Sequence, residues 1–226
     1  MRWIIGIDEV GRGSLAGPVM VCALAMPHGF RIFPELVEGL PKLRDSKQLS
    51  ASQRECWAAW VKTQPDIHFM VARVYPRGIE RMNISQAANL AATRACYRLL
   101  PELACPPKPW RRRVEGVHNG SPSINSGRNI KVLLDGGLYL RVNPRSYPRL
   151  SASTIVKGDE KFTAIKLASI VAKVARDKFM HTLDVRYPQY GLAIHKGYGT
   201  KRHIAAIKKY GPSEIHRATF VKNFVV

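Results

Sequence analysis

Apolar residues along the chain form short runs and longer periodic stretches, a pattern that predicts strands alternating with helices. Short apolar runs bounded by turn residues predict strands. These strands are predicted at residues 3–7, 19–26, 67–75, 130–134 and 153–156. Helices are predicted at residues 50–62, 83–100, 162–187 and 200–210. Ser50 and Asn83 stand where helix caps are expected.

The order of these elements indicates the fold class. The first two predicted strands are separated by a Gly-rich turn at residues 11–18, which indicates a hairpin with a long, functional loop. Strands then alternate with helices along the rest of the chain. We therefore expect an α/β or α+β architecture with a central mixed β-sheet flanked by helices. Small residues at helical spacing in the stretch 162–187 would let that helix pack closely on the sheet.

Residues 101–129 interrupt this pattern. The segment holds several Pro, Gly and Ser residues and three consecutive arginines at 111–113. Such a composition predicts an irregular loop. A solvated insertion is the favoured interpretation, and a basic arm that touches nucleic acid is the alternative.

The charge of the chain narrows the classes of partner. Its 226 residues predict one domain, residues 1–226, with 36 Lys and Arg against 16 Asp and Glu and a net charge of +20. A basic field of this size favours polyanions, nucleic acid above all, or an anionic membrane surface. No apolar stretch reaches the roughly 18 residues that a membrane span needs. No signal peptide opens the chain, so we expect a cytoplasmic protein.

Acidic residues are scarce, and four of them stand at predicted strand ends. Asp8 and Glu9 directly follow the first strand, Asp135 follows a central strand, and Asp159 follows another. Functional groups gather beyond the carboxyl ends of strands in open α/β sheets, so these carboxylates are expected to cluster. Their mutual repulsion requires hard cations, and all-oxygen ligation suits Mg²⁺ or Mn²⁺. A pair of such ions is suited to phosphodiester hydrolysis.

Each carboxylate also has a simpler interpretation. Asp135 precedes two glycines and could be a turn residue, and Asp159 could stabilise the start of a helix. Asp8 and Glu9 are harder to explain in this way, because adjacent acids at the end of a buried strand are costly without a partner. Asp177 lies on the predicted helix that follows Asp159, roughly 20 Å or more along a straight helix at 1.5 Å per residue. We therefore interpret Asp177 as a salt-bridge partner.

Several blocks of the sequence recur in one known family. The opening block is GIDEVGRGSLAGP at residues 6–18. The others are DSKQLS at 45–50, LLDG at 133–136, VKGD at 156–159, ASIVAKVARD at 168–177 and HKGYGT at 195–200. The last block runs from Gly211-Pro212 to His216-Arg217. Together, in this order and over nearly the whole chain, they closely resemble the ribonuclease HII family.

This resemblance implies a ribonuclease H-like fold with a four-carboxylate site that holds two Mg²⁺ or Mn²⁺ ions. By match to the family motifs, the carboxylates are Asp8, Glu9, Asp135 and Asp159. The implied enzyme is a monomeric endoribonuclease that hydrolyses the RNA strand of RNA–DNA hybrids. It also cuts 5′ of single ribonucleotides in duplex DNA, as in ribonucleotide excision repair, and leaves a 3′-hydroxyl and a 5′-phosphate.

The resemblance also implies specific contacts with nucleic acid. Gly11, Arg12 and Gly13 match a turn that senses the 2′-hydroxyl at an RNA–DNA junction. Tyr198 matches a tyrosine that packs on the sugar of the following deoxynucleotide, and Lys47 matches a lysine that contacts a phosphate. Backbone amides in a Gly-rich turn can approach a 2′-hydroxyl closely, and that group distinguishes RNA from DNA.

Three features depart from the family pattern. Asp135 is followed by two glycines where many relatives have Gly-Asn, residues 101–129 are longer and more basic than expected, and the chain stops soon after the last block. The C-terminal portion at 200–226 is predicted to be small and helical. These departures concern the affinity for the duplex substrate rather than the chemistry, because none of them removes a proposed ligand.

Two alternatives stay open. One is another nuclease of the ribonuclease H-like fold, such as a junction resolvase or a general RNA–DNA hybrid nuclease. The other is a non-catalytic basic protein that binds nucleic acid through charge. His195, His203 and His216 are candidates to assist proton transfer, although their spacing singles out none of them.

Overall fold

The computed structural model describes residues 2–32, 37–104, 129–143 and 145–224. Its strands are β1 (Trp3–Val10), β2 (Val19–Pro27), β3 (His68–Val74), β4 (Ile130–Asp135) and β5 (Leu150–Ile155). Its helices are α1 (Ala51–Thr63), α2 (Pro76–Met82), α3 (Ile84–Ala104), α4 (Gly158–Lys161), α5 (Thr163–Arg186), α6 (Leu192–His195), α7 (Lys201–Tyr210) and α8 (Ala218–Val221). Across the described ranges, no helix has both the length and the apolar character needed to cross a membrane.

The five strands form one mixed sheet in the order β3-β2-β1-β4-β5. β1 pairs with β2 in the antiparallel direction, as does β2 with β3, so the predicted hairpin is confirmed. β4 lies between β1 and β5 and is parallel to both. The carboxyl ends of β1, β4 and β5 therefore lie side by side at one edge of the sheet, roughly 4.8 Å apart from strand to strand.

Helices cover both faces of this sheet, as predicted. α3 packs on β2 and β3, while α5 packs on β1 and β2 from the other face and is itself covered by α1. Side chains alternate between the faces along each strand, so that Ile5 and Ile7 join the core on the α3 side and Val10 the core on the α5 side. β2 is buried along nearly its whole length, which explains its uninterrupted run of apolar residues.

The contact between β1 and α5 leaves no room for a side chain at Gly6. A Cβ atom built there would lie 2.2 Å from the carbonyl carbon of Ala164. Gly6→Ala is therefore expected to force the strand and the helix apart and to lower the free energy of unfolding by about 1–3 kcal/mol. Chemical denaturation measures this loss. Gly13→Ala is the control, since a Cβ atom at Gly13 meets nothing within 4 Å; equal losses in both variants would contradict the packing argument.

Both predicted helix caps are confirmed. The Ser50 hydroxyl accepts the N–H of Gln53 at 3.2 Å, and the Gln53 side chain accepts the N–H of Ser50 at 3.0 Å, which completes a capping box at the start of α1. Asn83 Oδ1 accepts the N–H of Gln86 at 3.0 Å in the first turn of α3. These side chains satisfy backbone groups that a helix start leaves unpaired.

Around α3, one prediction is wrong and one helix is missed. The helix continues through Pro101 to Ala104, where an irregular segment is predicted. Burial of Leu103 in the core outweighs the backbone hydrogen bond that a proline removes. α2 is not predicted from the sequence, and it begins with Pro76 at its first position, where a proline is tolerated. The arginines at 111–113 lie outside the described residues.

The C-terminal residues pack against the loop between β1 and β2. Gly197 O accepts the N–H of Leu15 at 2.8 Å and that of Ala16 at 3.2 Å, and the N–H of Arg217 donates to Leu15 O at 2.8 Å. α7 is helical as predicted, with Thr200 as its N-cap. The Gly-rich loop and the C-terminal motifs therefore form one side of the molecule.

Candidate active site

Two acidic side chains lie near the end of β1. Asp8 and Glu9 are predicted to follow the strand, but they lie within it because pairing with β2 continues beyond them. Pairing with β4 ends earlier, with Ile7 opposite Leu134, so both acids lie past the parallel part of the sheet. Asp8 points towards α5, where the nearby Ser169 hydroxyl acts to lower the pKa of its carboxylate. Glu9 points to the opposite face.

Asp135 and Asp159 reach the same edge from neighbouring elements. Asp135 is the last residue of β4, and its Oδ1 accepts the N–H of Gly158 at 2.6 Å. The N–H of Gly136 donates to Ile155 O at 3.1 Å beside it. Asp159 follows Gly158 in α4 and is buried. Because of these bonds, the end of β4 and the start of α4 are held together.

Neighbouring carboxylates help to raise the pKa of Asp8, Glu9 and Asp135. Burial raises the pKa of Asp8 to about 7, and the charges of Glu9 and Asp135 act in the same direction. Burial also raises the pKa of Glu9, with a contribution from Asp135. Burial raises the pKa of Asp135 too, with a contribution from Asp159. The structure thus brings the four predicted carboxylates together as interacting neighbours along the sheet edge.

Cationic side chains compensate this cluster only in part. Arg12 Nη1 lies 3.3 Å from Glu9 Oε1, and Lys47 Nζ lies 3.5 Å from Asp159 Oδ2. Glu9 Oε2 is buried without a hydrogen-bond partner. Such an orphaned oxygen is costly, and oxygen donors are what Mg²⁺ and Mn²⁺ prefer, so the residues fit a divalent cation. As the side chains of the described ranges stand, however, no three acidic, His or Cys residues are grouped to hold one ion.

A buried polar chain supports Asp8 from the α5 side. Ser169 lies near the Asp8 carboxylate, and its Oγ lies 2.8 Å from Ser46 Oγ. Lys173 Nζ donates to the same Ser46 Oγ. All three supporting residues belong to blocks that resemble the family, but none has a role predicted from the sequence. The signal was the four-residue spacing of Ser169 and Lys173, which places them on one face of a helix.

The turn at Gly11 to Gly13 is held on one side and open on the other. Gly11 has a φ of +83°, and a Cβ atom there would lie 2.2 Å from Arg176 Nε, so only glycine fits. Gly13 is exposed, with open space where a side chain would be. Arg12 points towards α3, where its Nη2 donates to Ser85 Oγ at 2.8 Å. The open side therefore leaves the backbone at Gly13 free for a close approach.

Tyr198 lies on the loop between α6 and α7 and is 40 % exposed. Its ring packs on Arg176, whose guanidinium carbon lies 5.3 Å from the ring centroid. Arg176 also donates to the carbonyls of Lys196 at 2.8 Å and Ala16 at 3.2 Å. One buried arginine thus supports both Tyr198 and the Gly-rich loop.

Arg217 is a second buried arginine in this region. It donates to the carbonyls of Gly11 at 2.7 Å, Arg12 at 2.8 Å, and Gly17 at 3.0 and 3.1 Å. Arg176 and Arg217 both stand in blocks that resemble the family, but neither has a role predicted from the sequence. For Arg176 the available signal was a charged residue among the small and apolar residues of α5; for Arg217 the sequence contains no comparable signal.

The three histidines form a buried group beside Tyr198. The rings of His195 and His203 stack with centroids 4.3 Å apart, and His203 Nε2 lies 3.2 Å from His216 Nε2. Burial lowers the pKa of both His203 and His216 to about 4, so both are neutral near pH 7. Their nitrogens bond backbone groups and each other, a geometry that gives no support to proton transfer.

Two further sequence predictions concern charged residues near the cluster. Asp177 Oδ2 lies 3.6 Å from Arg54 Nη2, which confirms Asp177 as a salt-bridge partner. The Lys47 side chain is largely exposed where it meets Asp159. It lies at the rim of the carboxylate cluster, in a position that suits a phosphate contact.

Comparison with solved structures defines the class of this fold. Ribonuclease H2 from Pyrococcus horikoshii superposes with a TM-score of 0.62 at 23 % identity, covering 98 % of this chain and 96 % of that one. The crystal structure of Bst-RNase HIII in complex with Mn²⁺ gives a TM-score of 0.65 at 18 % identity, covering 99 % of this chain and 69 % of that one. The mixed sheet with helices on both faces is thus a ribonuclease H-like fold.

Sequence comparison narrows the class to one family. The Ribonuclease HII family profile matches residues 5–104 and 138–223. Ribonuclease HII of Ruminiclostridium cellulolyticum is 38 % identical over 224 residues, 99 % of this chain and 72 % of the relative. Ribonuclease HII of Chloroherpeton thalassium is 37 % identical over 219 residues, which cover 97 % of this chain and 90 % of the relative. The chain belongs to the ribonuclease HII family and is a type 2 ribonuclease H.

The two matched ranges leave a gap at residues 105–137, and β4 lies within that gap. The position of this strand in the sheet therefore gives support for the place of Asp135 that does not depend on the profile. β4 pairs in parallel with β1, in a register that puts Asp135 next to Asp8. The segment before β4 that the family profile does not match leaves β4 in its place in the sheet.

Proposed function

We propose that this chain hydrolyses the RNA strand of RNA–DNA hybrids and cuts duplex DNA on the 5′ side of a single embedded ribonucleotide. The products carry a 3′-hydroxyl and a 5′-phosphate. The observation that carries the proposal is the sheet edge at which β1, β4 and α4 bring Asp8, Glu9, Asp135 and Asp159 together. We further propose that the chain is a cytoplasmic monomer, folds as one catalytic domain and acts in ribonucleotide excision repair.

The four carboxylates are proposed as ligands of two Mg²⁺ or Mn²⁺ ions. The solved complex of Bst-RNase HIII with Mn²⁺ supports a divalent ion in this fold. When bound, such ions supply activation of the attacking water and stabilisation of the leaving oxygen. The chain itself orients the oxygen donors, because the N–H of Gly158 bonds Asp135 Oδ1 and the N–H of Glu9 bonds Asp8 Oδ1 at 2.8 Å. No side-chain nucleophile is required.

Substrate recognition is assigned to the basic surface and to two loops. The net charge of +20 attracts the phosphate backbone, and Lys47 at the rim of the cluster is placed to contact one phosphate. The exposed backbone at Gly13 is open to a ribose 2′-hydroxyl. The exposed ring of Tyr198 is proposed to pack on the sugar of the next nucleotide, where a second hydroxyl would collide with it. Together these contacts would select an RNA-to-DNA step.

A DNA duplex that carries one ribonucleotide tests the proposal, with Mg²⁺, Mn²⁺ or EDTA added. We expect one metal-dependent cut on the 5′ side of the ribonucleotide. Cleavage of long hybrids alone would leave a hybrid nuclease and overturn the junction specificity. Salt-sensitive binding without a metal-dependent product on either substrate would favour the non-catalytic alternative.

The raised pKa values of the cluster predict a pH-dependent response to metal. Asp8, Glu9 and Asp135 bind protons more tightly when folded than when unfolded, so the metal-free protein loses stability as the pH rises through about 7. A divalent ion binds the ionised groups and displaces these protons. The increase in Tm on adding Mg²⁺ is therefore expected to be larger near about pH 8 than near about pH 6.

Thermal unfolding with and without Mg²⁺ at both pH values measures this response. Asp177→Asn is the matched control, because Asp177 lies in an ion pair with Arg54 outside the cluster. It should keep the metal response of the unmodified chain, whereas Asp8→Asn should reduce it. A response that is equal at the two pH values would count against ionisation of Asp8 on metal binding.

A further inference from the structure

A directed chain of hydrogen bonds ends on the Tyr198 carbonyl. His203 Nδ1 donates to that oxygen at 3.0 Å. A carbonyl oxygen only accepts, so Nδ1 carries the proton and Nε2 of the neutral ring is an acceptor. His216 supplies the donor, since its Nε2 lies 3.2 Å from His203 Nε2 while its Nδ1 accepts the N–H of Ser213 at 3.0 Å. The chain runs from Ser213 through His216 and His203 to Tyr198.

The His203 and His216 rings in this series of hydrogen bonds are shielded from water. His203 is 0 % exposed and His216 is 5 % exposed. His195 stacks on His203, donates to Tyr190 O at 2.8 Å, and accepts the N–H of Gly197 at 3.2 Å. Because water does not compete for buried groups, each bond holds its partners in a defined orientation.

The backbone around Tyr198 is fixed from several directions. Gly197 O is bonded by the N–H groups of Leu15 and Ala16, and the N–H of Thr200 donates to Tyr198 O at 2.8 Å from within the loop. The bond from His203 is different because it ties Tyr198 to the side chains of α7 and of the C-terminal segment. A partly exposed ring is thus attached to a backbone that buried residues hold in place.

We propose that His203 and His216 are positioning residues that fix the Tyr198 ring at the deoxynucleotide that follows a ribonucleotide. They would thereby set the preference for RNA–DNA junctions over continuous hybrids. The inference rests on the proposed function, in which Tyr198 packs on that sugar. Neither histidine touches the substrate, so a variant would still cleave at the carboxylates but would discriminate less between the two substrates.

The ratio of kcat/KM on a single-ribonucleotide duplex to kcat/KM on a continuous hybrid tests this role. His203→Ala is expected to lower the ratio about fivefold to tenfold, the effect of one buried hydrogen bond. His203→Asn should keep the ratio near that of the unmodified chain, because the amide N–H of Asn takes the place of Nδ1–H. Ile204→Ala, on the same helix and half-buried, controls for stability and should leave the ratio unchanged.

A double-mutant cycle separates positioning from a general effect. Tyr198→Ala should lower the ratio by itself. In that background His203→Ala should lower it no further, because the histidine acts through the tyrosine. An unchanged ratio in His203→Ala would overturn the proposal, as would a full additional loss in the double variant.

A measurement on the unmodified protein covers the case in which His203→Ala does not fold. Long-range ¹H–¹⁵N NMR spectra distinguish the tautomers of neutral imidazoles. We expect the Nδ1–H form for His203 and the Nε2–H form for His195 and His216. An Nε2–H form of His203 would overturn the proposal, because Nδ1 could not then donate to Tyr198.

Cleavage of the single-ribonucleotide duplex by the unmodified chain distinguishes failure of this inference from failure of the proposed function. If it does not cut the single-ribonucleotide duplex, the proposed function fails and the inference falls with it. If it cuts that duplex and His203→Ala keeps the same ratio, the inference fails and the proposed function stands.

Discussion

Asp135→Asn is expected to slow cleavage by roughly 10³-fold or more while substrate binding persists. The amide keeps the shape of the side chain, and its oxygen can still accept the N–H of Gly158. What disappears is one negative charge beside Asp8 and Asp159, which a pair of divalent ions would require. Binding of nucleic acid depends on the basic surface and should change little.

Single-turnover cleavage and equilibrium binding measure the two halves of this prediction. Glu160→Gln is the matched control, since Glu160 is an exposed carboxylate that pairs with Lys157 at 3.6 Å. It removes the same charge one residue from Asp159 and should cleave at a normal rate. Near-normal turnover in Asp135→Asn would contradict the four-carboxylate site. The metal-free variant should also be at least as stable as the unmodified chain, because a repulsive charge is gone.

Arg217→Met is expected to lower the free energy of unfolding by about 3 kcal/mol or more, because the buried carbonyls of Gly11, Arg12 and Gly17 lose their donor. For a chain of this size that corresponds to a fall in Tm of roughly 6–12 °C. Burial lowers the pKa of Arg217 to about 9, with the Arg176 charge acting in the same direction, so the side chain is still a cation at neutral pH.

The same variant is expected to lose junction cleavage below its Tm, because the turn at Gly11 to Gly13 would lose its defined backbone. Thermal unfolding and cleavage of the single-ribonucleotide duplex are measured on one preparation. Arg202→Met, on the exposed side of α7, removes an equal charge and should change neither quantity much. A Tm fall with normal junction cleavage would show that Arg217 serves stability alone.

The elements predicted with success are those whose signal is local. The apolar run of β2 and the cap at Ser50 depend on neighbouring residues only, and both are confirmed. The prediction of an irregular segment from Pro101 onwards is wrong, because burial of Leu103 in the core lets α3 continue past the proline. Local pattern could not reveal that contact, since it depends on residues far away in the sequence.

The site shows the same division. Strand-end position identified Asp8, Glu9, Asp135 and Asp159 as expected neighbours, and the parallel order of β1, β4 and β5 brings them together. The raised pKa values of Asp8, Glu9 and Asp135 follow from burial, which the sequence does not record. The ligand roles of these residues and the contacts assigned to Tyr198 and Lys47 stay predictions.

The sequence by itself determined the class of fold, the four candidate carboxylates and the family, because each depends on residue types and their order. Only the tertiary structure decided which side chains support them. Arg176 and Arg217 reach backbone carbonyls of the Gly-rich loop, and His203 reaches the Tyr198 carbonyl while His216 bonds His203. A hydrogen bond to a backbone group depends on where the chain returns in space and not on the identity of the residue that is bonded, so no sequence pattern marks it.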